Sequence, residues 1–208
     1  MQSEKIDKIF GYFTELFGED PKCELNYSSD IELLTAIILS AQCTDVRVNK
    51  VTAELFQKYK TVQDFANADL KELEREIYST GFYHNKARSI IDMAKAIVKQ
   101  HGGKIPQDME SLVKLAGVGR KTASVFLSEY HNIPAIAVDT HVIRVSNRLE
   151  FTQSQNPVVI ERDLKKLFDE KNWGKYHHYL VLFGRYHCTA RSPKCETCEI
   201  KNYCREFK

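Results

Sequence analysis

No stretch of this 208-residue chain is long and apolar enough to cross a bilayer, which excludes a helical membrane protein. The first residues lack the apolar core of a secretory signal, and six cysteines are too few for a disulfide scaffold. A reduced, intracellular protein is expected. No useful length of sequence alternates apolar and polar residues as a half-buried strand would. The best strand candidate, Ile133 to Val138, is short, carries Pro134 and runs straight into Asp139. There is also no low-complexity linker and no internal repeat. What remains, 43% hydrophobic and 28% charged residues, describes an ordinary globular chain of one large or two small domains.

Helical periodicity is present almost throughout. Ile6, Ile9, Phe10, Phe13, Leu16 and Phe17 fall on one face, as do Ile90, Ile91, Ala94, Ile97 and Val98 in a segment that stops at Gly102 and Gly103. Between them lie an apolar run from Leu33 to Leu39 behind Asp30, a segment with Val48, Val51, Leu55 and Phe56, and another with Leu70, Leu73 and Ile77. Further helices are predicted over residues 108 to 115, 120 to 130, 141 to 149, 157 to 170 and 176 to 187. The expected fold class is all-α.

Four cysteines, Cys188, Cys195, Cys198 and Cys204, form a C-x6-C-x2-C-x5-C run near the end of the chain. Four thiolates so close together can wrap one soft metal centre. Zinc sites commonly pair two short knuckles, and here there is one, so spacing favours an iron-sulfur cubane while leaving zinc open. Cys23 and Cys43 follow no ligand spacing and read as buried apolar residues. The net charge is only +2, but from Arg185 to Lys208 six basic residues face three acids. A solvated tail explains that excess; a modest positive patch on the metal loop is the alternative.

The stretch Leu115-Ala-Gly-Val-Gly-Arg-Lys-Thr-Ala123 is a tight turn between two predicted helices. Gly117 and Gly119 can take positive φ and allow close approach to the backbone amides, and the unpaired N–H groups of the next helix can seat a phosphate. A helix cap followed by a turn would use the same glycines. Arg120 and Lys121 stand where the helix dipole disfavours cations, and the same dipole favours the neutral amine of Lys121, a nucleophile toward a sugar aldehyde carbon; a plain phosphate contact is the other reading, and the residues alone favour it. Eighteen residues on, Asp139 in Val138-Asp-Thr-His141 follows an apolar run and precedes a helix. It suits an N-cap well; the functional reading is a carboxylate that stabilises a developing sugar cation or helps activate the attacking amine, and the roles need not exclude each other.

Taken in order, these motifs resemble the endonuclease III branch of the helix-hairpin-helix DNA glycosylases. Leu39-Ser-Ala-Gln-Cys-Thr-Asp45 and Gly81-Phe-Tyr-His-Asn-Lys-Ala87 extend the resemblance over nearly the whole chain. It implies a [4Fe-4S] cluster on Cys188, Cys195, Cys198 and Cys204. It places the family's catalytic lysine on Lys121 and its catalytic aspartate on Asp139. Gln42 matches the residue that fills the gap left by an extruded base, and Phe82 the wedge, often leucine, that enters the opposite strand. Gly117 and Gly119 match the hairpin that grips the phosphate backbone. Arg191 and Lys194 lie in a loop that faces DNA in relatives. Ala116 departs from the family's usual proline, and Phe82 from its leucine.

The resemblance further implies two all-α lobes with a DNA-binding cleft, Lys121 and Asp139 on opposing walls. A helical barrel would cover residues 22 to 133, with the hairpin at about 108 to 130, and a cluster domain would join residues 1 to 21 to residues 134 to 208. The partner is double-stranded DNA with damaged bases or abasic sites, met by a monomer in the cytoplasm or nucleoid if the source is bacterial. The expected activity is base-excision repair: a glycosylase and β-elimination lyase that flips a damaged, oxidised pyrimidine and forms a lysine Schiff base. A monofunctional adenine-type glycosylase is a second expectation, though such relatives lack the hairpin lysine and carry a further C-terminal domain, whereas this chain stops four residues after Cys204. A non-catalytic DNA-binding module with a structural metal is a third.

Overall fold

The helical periods of the sequence become helices wherever a cap or a glycine can start or stop them. In the computed structural model, which describes residues 2–207, no strand occurs among the described residues. In chain order the helices are α1 (Gln2–Phe17), α2 (Asp30–Ser40), α3 (Asp45–Lys58), α4 (Val62–Ala66), α5 (Leu70–Glu76), α6 (Tyr83–His101), α7 (Met109–Leu112), α8 (Arg120–His131), α9 (Thr140–Arg148), α10 (Pro157–Leu167) and α11 (Trp173–Tyr186). Single 3-10 turns cover Tyr78–Thr80, Glu170–Asn172, Lys201–Tyr203 and Arg205–Phe207. Lys208, the last cation of the basic C-terminal segment, and Met1 lie outside the described residues.

Two predicted helices are shorter than expected: the segment from residue 108 ends at Leu112, and that from residue 157 ends at Leu167. The helix α4 is an addition. Its single turn is held by a reciprocal capping box in which Thr61 and Asp64 each bond the other's backbone amide, and it buries Val62, Phe65 and Ala66. Ile133 to Val138 is not a strand but a connecting segment that buries Ala135, Ile136 and Ala137.

The chain divides into two units, one of Glu24–His131 and one that joins Met1–Cys23 to Asn132–Lys208. The first is built from α2 to α8. Beyond its acidic first turn, α2 is almost entirely apolar and buried from Leu33 to Leu39, with Leu33, Leu34, Ala36 and Leu39 at 0% exposure, as a central helix requires. Ile90, Met93, Ala94 and Ile97 of α6 and Phe126 of α8 are also buried.

In the second unit, Ile9, Phe10 and Phe13 of α1 share a core with Val142 and Val145 of α9, Ile160 and Leu164 of α10, and Tyr179, Leu180 and Phe183 of α11. Phe10 stacks on Tyr176 at 3.6 Å and meets Phe13 and Phe168 edge-on. Helices α9 and α11 approach closely at Gly184, where a Cβ would stand 2.8 Å from the His141 Cβ.

Candidate active site and cysteine loop

Lys121 is the second residue of α8 and its side chain is exposed. The turn before it closes with the Val118 N–H donating to the Leu115 carbonyl at 3.1 Å, and Gly117 holds φ at +74°. Positive φ at the third position of such a turn is the type II pattern, for which glycine is favoured there and proline at the position before, here Ala116. The two glycines differ. A Cβ on Gly117 would meet Ser89 of α6, and Gly117 is therefore fixed by packing as well as by φ. Gly119 does not take positive φ, contrary to the sequence expectation; it faces open space, and its carbonyl accepts from Ala123 as α8 begins.

Asp139 heads α9 in the other unit. Its Oδ1 accepts from the amides of His141 and Val142 at 2.8 and 2.9 Å, a full N-cap. The capping role foreseen from sequence is present, and it is compatible with a second role for the carboxylate.

The same helix holds the cysteine loop from its far end. Arg144 donates to the carbonyls of Gly184 (2.6 Å) and Cys188 (3.1 Å), while Arg148 donates to the Cys188 Sγ (3.3 Å) and the Thr189 carbonyl (3.0 Å). Burial opposes the charge of Arg148, but the hydrogen bond to Cys188 and the nearby thiols outweigh it and raise its pKa. From α1, the Tyr12 hydroxyl donates to the Thr197 carbonyl at 3.1 Å. Neither arginine is evident as a loop anchor in the sequence.

The four cysteines line one cavity of about 110 Å³, together with Leu149, Phe183 and Pro193. Among the described residues no group of three Cys, His, Asp or Glu side chains is arranged to hold a single ion, and the four cysteines that share this cavity are all free thiols. Burial and the neighbouring cysteines push the Cys198 thiol up to about 11, and burial raises that of Cys204, so a positively charged group beside these two would be needed to hold them as thiolates. Four thiols on one cavity, each able to take its own iron, fit a cubane cluster. The loop between the first two carries Arg191 and Lys194, both exposed.

Gln42 and Phe82 share an unusual backbone. Both are exposed, Phe82 at 63%, and both hold left-handed φ, +54° and +49°. Such φ is uncommon outside glycine. Gln42 lies in the loop from α2 to α3, and Phe82 is the N-cap residue of α6, without a side-chain capping bond.

Comparison with known proteins agrees with this architecture. Residues 35–170 match the HhH-GPD superfamily base excision DNA repair protein model, and residues 188–204 match the iron-sulfur binding domain of endonuclease III. Endonuclease III of Bacillus subtilis (strain 168) is 48% identical over 97% of this chain and 90% of its own length. That of Escherichia coli (strain K12) is 43% identical over 90% of this chain and 89% of its own. A solved structure of a trapped endonuclease III–DNA covalent intermediate, an estranged-adenine complex, superimposes with a TM-score of 0.93 at 44% identity, covering 100% of this chain and 97% of that one. The chain therefore belongs to the endonuclease III family of the HhH-GPD superfamily, as a base-excision-repair DNA glycosylase with abasic-site lyase activity that binds a [4Fe-4S] cluster.

Proposed function

We propose that Lys121 is the nucleophile of this reaction and Asp139 its supporting carboxylate, acting on oxidised pyrimidines in duplex DNA. The observation that carries the reading is the covalent DNA intermediate trapped on a relative of the same fold, set beside an exposed lysine at the head of α8 in this chain. The Lys121 amine attacks C1′ of the extruded nucleotide, and the base departs with the electrons of its glycosidic bond and gains a proton. The sugar ring then opens to a protonated imine. This acidifies the C2′ hydrogen, and loss of that proton expels the 3′ phosphate; water finally releases the sugar remnant. Asp139 stabilises the positive charge that develops at the sugar as the base leaves.

The other residues position the DNA. Backbone amides around Gly117 and Gly119, at the start of α8, grip phosphate oxygens without reading sequence. Gln42 fills the gap left by the extruded nucleotide, and Phe82 wedges into the opposite strand. Arg191 and Lys194 meet the backbone as cations. The four cysteines hold the cluster, which when bound ties down a loop with little apolar material of its own. The enzyme works as a monomer.

The test is Lys121→Gln. Both strand cleavage and borohydride trapping on abasic duplex DNA should be lost, while binding to an uncleavable abasic-site analogue largely survives. Trapping at the wild-type rate would transfer the nucleophile to another amine, and release of adenine from a mismatch without trapping would point to a monofunctional enzyme.

A further inference from the structure

The residue that links the Gln42 and Phe82 loops lies beneath them. Lys86, in the first turns of α6, is only 6% exposed. Its ammonium donates to the Leu39 carbonyl and to the Thr80 carbonyl, both at 2.8 Å. Leu39 ends the buried part of α2, three residues before Gln42. Thr80 ends a 3-10 turn, two residues before Phe82. Terminal carbonyls of helices have no partner within the helix and carry negative partial charge, so a buried ammonium between two such ends is well placed.

Burial pushes the Lys86 pKa down, and the nearby Cys43 thiol works the other way. A lysine is an expensive choice for a buried position unless its donors are used, and here two are given to loops 41 residues apart in sequence. Each loop carries a non-glycine residue in left-handed backbone, and such conformations persist only where the surroundings over-determine them.

We propose that Lys86 is a positioning residue that ties the Gln42 loop to the Phe82 loop, so that the two side chains enter the duplex as one preset unit. This rests on the reading of Gln42 and Phe82 as inserting residues. It adds that their spacing is set before DNA arrives, by one cation and two backbone carbonyls.

The test uses Lys86→Met, which keeps the volume of the stem and removes both donors, and Lys86→Arg, whose guanidinium can still reach two carbonyls. Two substrates are compared: a duplex with one oxidised pyrimidine, and a single-stranded oligonucleotide with one abasic site, in which no nucleotide need be extruded. Lys86→Met should lose about ten- to a hundredfold in kcat/KM on the duplex, the scale of a misplaced positioning group, and less than about twofold on the single strand. Lys86→Arg should recover most of the duplex activity. A 2-aminopurine next to an abasic-site analogue in duplex should brighten less with Lys86→Met than with wild type, reporting weaker insertion.

Combined with Gln42→Ala, Lys86→Met should add little further loss, because both changes remove the same step. Equal loss on both substrates, or full additivity with Gln42→Ala, would reduce Lys86 to a stability residue and overturn the proposal. If Lys86→Met fails to fold, Lys86→Leu, which also lacks both donors, carries the same comparisons. Should Gln42→Ala and Phe82→Ala leave duplex activity intact, the insertion reading itself falls. Should they impair it while a folded Lys86→Met does not, only the role of Lys86 is lost.

Discussion

A methyl group on Gly117 would stand 2.8 Å from the Cβ of Ser89. The hairpin turn is thus packed directly onto α6, and the φ of +74° adds a second barrier to any side chain there. Gly119, two residues on, has neither constraint.

Gly117→Ala should therefore destabilise the protein by about 1–3 kcal/mol, through left-handed strain and the clash with Ser89. Thermal melting measures it. Gly119→Ala should leave the melting temperature within about 2 °C of wild type, close to the usual limit for a surface change. Its effect should fall instead on binding to undamaged and damaged duplex alike, because the added methyl occupies open space beside the start of α8.

Ala116→Pro tests the same turn from the opposite direction. With positive φ at Gly117, position 116 is the one at which proline is preorganised, and the substitution should stabilise by about 0.4–1 kcal/mol through a less free unfolded chain. A fall in melting temperature would show that the Ala116 backbone departs from proline geometry.

Two substitutions separate the capping by Asp139 from the chemical role proposed for it. Asparagine caps a helix about as well as aspartate, so Asp139→Asn should melt near wild type and still excise bases far more slowly, since only the negative charge is gone. Asp139→Ala should lose the same chemistry and, in addition, about 1 kcal/mol of stability. If Asp139→Asn excises bases at the wild-type rate, the carboxylate is a cap and nothing more.

Arg148→Met removes the donor to Cys188 Sγ and to the Thr189 carbonyl. Purified wild type should hold about four irons per chain and no stoichiometric zinc. The variant should retain less iron after chelator challenge and melt lower by the worth of hydrogen bonds to a charged group, about 1.5–3 kcal/mol. Unchanged iron retention would remove Arg148 from the support of the loop.

Most of the helices are legible in the sequence because each has an apolar face of several turns and a boundary residue, as Asp30 and Gly102 bound α2 and α6. Helix α4 has a single turn, too short for periodicity to register, and only the Thr61-x-x-Asp64 capping box announces it. The hairpin and cysteine run are legible because chain order alone brings their residues together. The inequality of Gly117 and Gly119 is not, since it depends on Ser89 of another helix. Lys86 is hidden for the same reason. A lysine within a helical segment reads as solvated, and one of the carbonyls that pairs its ammonium is 47 residues away. Arg144 and Arg148 likewise look like the outer face of α9 until the loop they hold is placed.

The left-handed backbone at Gln42 and Phe82 bears on what the insertion proposal would cost the fold. Left-handed φ costs an ordinary residue roughly 1–2 kcal/mol that glycine escapes, so drift governed by stability alone would favour glycine or asparagine at both tips. The insertion proposed for the two side chains would offset that cost, whereas Glu150 holds the same backbone, φ +57°, with no such role proposed for it. On that proposal, a chain of this fold with glycine at both positions would keep the scaffold yet open a duplex poorly, even with the lysine and the cysteines in place.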